Sequence, residues 1–104
     1  MQVIPISQIG AQTLNITLNN QVFQLRIMDK GSAGIFMDVK NGTRNIALGV
    51  LCLDRRRLVN FPYRGFPGDL MFADQKGFTN PSFKGFNDRY VLYWLEPGEE
   101  SIGL

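Results

Sequence analysis

The sequence predicts an all-β domain, a small antiparallel sandwich or barrel of about six to eight strands. Three observations lead there. Apolar and polar residues alternate with period two through most of the chain, turn-forming Asn, Gly and Asp punctuate that alternation at intervals of about 8–12 residues, and no stretch carries the 3.6-residue stripe of an amphipathic helix.

Residues 1–10 precede the first long alternation and form a possible N-terminal arm of the single domain, 1–104. Leu14, Ile16 and Leu18, separated by Asn15 and Thr17, then lie on one face of a strand. Phe23, Leu25 and Ile27 repeat the pattern across Gln24 and Arg26. Asn19-Asn20 between the two runs predicts a tight hairpin, because asparagine tolerates the positive φ of a primed turn. A second hairpin joins the alternating run Ile35, Met37, Val39 through Asn41-Gly42 to Ile46–Leu53. That last strand is apolar on both faces, which predicts a central strand covered on both sides. Cys52 within it reads as a small core residue rather than a reactive thiol.

Residues 54–67, DRRRLVNFPYRGFP, break the alternation and read as a long connection or an edge excursion. Gly68–Ala73 resumes a short strand with Leu70 and Phe72 on one face. The stretch from Phe78 to Asp88 carries Pro81, Gly85 and three phenylalanines and predicts a loop with room for one helical turn. Arg89–Leu95 is the last strand, Tyr90, Leu92 and Trp94 facing one way and Val91, Tyr93 and Leu95 the other. Residues 96–104 form a frayed acidic tail.

Composition narrows the function. The chain has no histidine, one cysteine and 11 basic against 9 acidic residues, a net charge of +2. Without histidine the commonest general base and the commonest transition-metal ligand are missing, and one cysteine allows neither an internal disulfide nor a CxxC metal site. Neither phosphate-binding glycine motif occurs, no calcium loop of the D-x-D-x-D-G type is present, and the serines have no G-x-S-x-G setting. The aspartates Asp29, Asp54, Asp74 and Asp88 read as turn and loop residues. The chain is therefore expected to be no enzyme, with no cofactor and no metal. It shows no signal-peptide pattern and no run long enough to span a bilayer, predicting a soluble protein of a reducing compartment.

What remains distinctive is Arg55-Arg56-Arg57, followed by Phe61, Tyr63, Arg64 and Phe66. Arginines among loop aromatics suit a protein–protein interface, and these seven residues are the candidate partner-binding set. A solvated charged loop gives the same letters. An OB-like domain binding single-stranded nucleic acid through Arg55–Arg57 and Tyr63 is the alternative, which the small net charge weighs against. Phe78, Phe83 and Phe86 add to a surplus of loop aromatics that a small domain would struggle to bury, and unpaired strand edges offer further docking sites.

The order of short motifs points further. Ile4-Pro5-Ile6, Phe23-Gln24-Leu25-Arg26-Ile27, Gly34-Ile35-Phe36-Met37-Asp38, Gly49-Val50, Gly68-Asp69-Leu70 followed by Asp74, Pro81, and Arg89-Tyr90-Val91-Leu92-Tyr93 together resemble the baseplate plug proteins of contractile-tailed phages, the cyanophage type included. The similarity covers nearly the whole chain and is weakest from Asp54 to Pro67. The resemblance implies a non-enzymatic virion component made in the bacterial host cytoplasm and built into the tail in several copies. It also implies contacts with other baseplate subunits, the hub and the tail tube, closing or bridging their channel, and no membrane.

Overall fold

Alternating strands that each bury one face need a second layer to bury it against. The computed structural model describes residues 2–59 and 67–96, and these form seven strands in two antiparallel sheets. The larger sheet is a meander of β2 (Ala11–Leu18), β3 (Gln21–Asp29), β4 (Ile35–Asn41) and β5 (Arg44–Leu51), ordered as in the chain. The smaller sheet has the order β1 (Gln2–Ile4), β7 (Tyr90–Leu95), β6 (Asp69–Asp74). The N-terminal arm thus pairs within its own chain, Val3 opposite Tyr93.

Turn chemistry sets the meander. Asn19 and Asn20 sit at φ 50° and 63°, the left-handed pair of a type I′ turn, with Leu18 opposite Gln21. Between β4 and β5 the turn falls one residue later than the sequence predicts. Asn41 pairs with Arg44, so the loop is Gly42-Thr43, and Gly42 takes the first central position at φ 61°. There the absence of a Cβ removes the cost of a positive φ.

Phe23, Leu25, Ile27, Met37 and Val39 from the large sheet meet Leu70, Phe72, Leu92 and Trp94 from the small one in a single buried cluster. Each such side chain contributes about 1.5–3 kcal/mol on leaving water. No ladder joins the two sheets among the described residues, so the fold is a sandwich rather than a closed barrel.

The expectation of a central, doubly covered Ile46–Leu53 strand is overturned. β5 is an edge strand, and Leu48 on it is 54% exposed. Its register against β4 shifts twice, between Met37 and Val39 and again between Val39 and Lys40. Gly49, at φ 62°, lies in the first of these bulges and donates its N–H to Asp38 Oδ1 at 2.6 Å. A bulge breaks the phase of a strand, so an apolar run can expose some residues and bury others without covering both faces. The strand that is buried throughout is β6, all six residues of it. Residues 54–59 run beside it, Asp54 bridging to Phe72 and Arg57 to Met71.

A candidate docking surface beside β6

The arginine run is laid along β6 by backbone bonds: Arg55 N donates to Phe72 O at 2.8 Å and Leu58 N to Leu70 O at 3.0 Å. Arg55 occupies the left-handed region at φ 57°, which parts its side chain from those that follow. Its guanidinium donates to Asp54 Oδ2 at 2.5 Å, to Gly77 O at 3.1 Å and to Asp74 O at 3.1 Å. Arg57 is drawn toward the other end of β6, 4.0 Å from Asp69 Oδ2. Arg56 between them is exposed. Two of three consecutive arginines therefore lie toward the chain's own carboxylates, Arg57 while remaining exposed, and Arg56 faces solvent. Phe61, Tyr63, Arg64 and Phe66 lie outside the described residues.

Both carboxylates that frame β6 are buried. Asp69 Oδ1 accepts the backbone N–H groups of Leu58, Val59 and Leu70 at 3.1, 2.8 and 2.7 Å, pinning residues 58–59 to the start of the strand. Just before it, Gly68 at φ 75° lies so close to the Leu95 carbonyl that any Cβ would collide with it. At the strand's other end Asp74 accepts Arg89 Nε at 2.8 Å and a second guanidinium N–H at 2.9 Å, together with Thr79 N, Thr79 Oγ1 and Lys76 N. The Arg89 guanidinium first, then the Thr79 and Lys76 donors, outweigh the effect of burial and hold the Asp74 carboxyl well below the usual carboxylate range. The same bond raises Arg89 above its ordinary value. Reading Asp74 as a loop residue is thus corrected: it closes a strand and organises the turn after it.

That turn displays Phe78. Arg55 binds the carbonyl before it and Asp74 the amide after it, and the Arg55 guanidinium lies 4.8 Å from the ring centroid. The ring is 84% exposed, the most solvated large apolar side chain among the described residues. An aromatic ring on a loop tied down at both flanks loses little further freedom on docking, which favours it as an anchor. The sequence signalled it only as one loop phenylalanine of several. Its companions behave otherwise: Phe86 is buried and stacked on Phe72 at 5.5 Å, and Phe83 packs against the core. The aromatic surplus in 78–88 is smaller than the sequence suggests, because the chain around the 3-10 turn Phe83–Gly85 brings Phe83 against the core and buries Phe86.

Cys52 is buried, and burial pushes its thiol up to about 12, the chemistry of a packing residue. Among the described residues no group of three His, Cys, Asp or Glu is placed to hold a metal ion, and no helix is long and apolar enough to cross a membrane.

Residues 1–97 of the chain match the family model described as cyanophage baseplate Pam3 plug gp18. The chain belongs to this family of phage baseplate plug proteins, whose members are structural components of the virion tail. No curated protein matches the chain.

Proposed function

We propose that the chain is a non-enzymatic plug of a contractile-tail baseplate that closes or bridges the channel between the hub and the tail tube, present in several copies and made in the bacterial host cytoplasm before assembly. The observation that carries this reading is the family match across residues 1–97, which spans both sheets and the surface beside β6. On that surface Arg56 and Arg57 are proposed contacts to neighbouring subunits, with Phe78 added by its exposure and Arg55 supporting it; Phe61, Tyr63, Arg64 and Phe66 are proposed contacts on the strength of the sequence alone. Arg55 acts by holding the Phe78 turn rather than by reaching outward.

Photo-crosslinking in assembled tails tests this. A crosslinkable residue placed at position 56 or 78 should capture hub or tube subunits, while one at Gln24, exposed on the large sheet's outer face, should not. Tails that lack the chain by mass spectrometry, or capture only from position 24, would overturn the reading.

A further inference from the structure

We propose that β2 is a self-association site, at which two copies of this chain join edge to edge by antiparallel strand pairing. The inference goes beyond the baseplate reading and does not depend on it.

Backbone phase defines the site. Leu18 and Gln21 close a two-residue turn and so form a hydrogen-bonded pair, and Gly10 O accepts Asp29 N at 2.6 Å in the same phase. The even positions of β2 therefore bond to β3. The odd positions Ala11, Thr13, Asn15 and Thr17 direct their N–H and C=O groups to the open edge, where none has a partner among the described residues. An unpaired row of this kind is a template for another extended backbone.

Comparison with the other edge of the same sheet shows that β2 lacks the usual guards. β5 is bulged twice, carries a left-handed glycine and begins at Arg44. β2 has the sequence AQTLNITL with an unbroken eight-residue register, no proline and no charge. Nothing in it repels an approaching strand.

The occupant that this chemistry fits is a second β2. A twofold axis at the edge opposes each residue to one of the same strand and brings a charge near the axis against its own copy, and β2 has no charge to be repelled in this way. The twofold also requires opposed residues to share a face, which restricts pairing to odd with odd and even with even. Inner faces then lie on the same side. Leu14 and Ile16, only partly buried against the core of one copy, come beside their counterparts and form a continuous apolar row. The outer face gains Thr and Asn pairs, for which β geometry is favourable.

Sedimentation equilibrium on the purified chain, from low micromolar to near-millimolar concentration, tests the proposal. The wild-type chain should dimerise with rising concentration. Asn15→Pro removes an N–H that the fold does not use, and Asn15→Lys brings two ammonium groups together across the axis. Each should weaken the dimer at least about tenfold while circular dichroism stays native. If Asn15→Pro fails to fold, Asn15→Lys carries the test. Asn45→Lys, on the guarded edge, should leave the dimer unchanged. In hydrogen exchange the amides of Thr13, Asn15 and Thr17 should gain protection on dimerisation. A wild-type chain that stays monomeric throughout, a dimer that survives both Asn15 substitutions, or protection gained at β5 instead would each overturn it. The first of these outcomes would leave the edge to a different partner chain.

Discussion

In the large sheet each strand is held to the next by a short connection, and its outer face is left to water; in the small sheet the strands are far apart in sequence, and buried carboxylates tie them to the segments around them. Along β2, and from Val22 to Met28 of β3, burial alternates with every residue. Along β6 it does not alternate at all. Local pairing needs only turn residues and a clean phase. A sheet assembled from residues 2–4, 69–74 and 90–95 has no such local guide, and here Asp69 and Asp74 supply directional bonds that fix what runs beside it.

The sharpest way to break the contrast is to place a charge on each sheet's second face. Ala73→Glu puts a carboxylate where β6 has no solvent, and should cost more than about 4 kcal/mol, enough to prevent folding of a domain this size. Gln24→Glu, at an exposed position of β3, should stay within about 0.5 kcal/mol. Urea unfolding of the two variants measures the difference, and similar costs would remove the distinction between the sheets.

The next effect in size is at Asp69. Asp69→Ala removes the acceptor of the Val59 and Leu70 N–H groups and leaves that of Leu58 only its bond to Leu70 O, an expected loss of about 2–4 kcal/mol, while Asp69→Asn, which can still present an oxygen, should lose less. Equal losses in the two variants would mean that packing, not acceptance of these bonds, is what the side chain supplies.

Asp74 separates the sheets by pH. Its folded carboxyl titrates below the usual range, whereas in the unfolded chain an aspartate titrates near pH 3.9. Below about pH 4 the unfolded state takes up a proton that the folded state refuses, so the stability this group contributes is present at neutral pH and lost progressively as pH falls. Asp74→Asn should be less stable at neutral pH and flatter in its acid limb. Parallel stability–pH curves for the two proteins would show that Asp74 is not the linked group.

The parts of this fold legible in the sequence are those set by neighbours in the chain. Asn19-Asn20 and the alternation of Leu14–Leu18 and Phe23–Ile27 specify the first hairpin almost residue by residue. What stayed hidden depends on distant partners. Asp74 looks like a turn residue until Arg89, 15 positions on, supplies its counter-charge. Phe86 looks like surplus until it stacks on Phe72. In the candidate docking surface the three arginines read as one unit, but a left-handed φ at Arg55 separates them, and a non-glycine residue gives no sequence signal for that conformation. For β5 a signal did exist: a glycine inside an apolar run marks a bulge more readily than a doubly covered strand.

That glycine gives the smallest and most discriminating test. A Cβ at Gly49 would meet nothing within 4 Å, so Gly49→Ala has no steric neighbour to displace and its cost is conformational alone. Holding alanine at φ 62° should destabilise by about 1–2 kcal/mol. Gly49→Asn should cost less, since asparagine visits this region more readily and Asp38 can still accept the residue's N–H. The order alanine worse than asparagine is specific to a strained backbone; side-chain size would rank them the other way. If both substitutions are silent, the bulge at Gly49 has relaxed into regular pairing, and β5 has lost one of its two bulges, a step toward the open edge of β2. In that case Gly49→Ala should also associate through β5, visible as new exchange protection there.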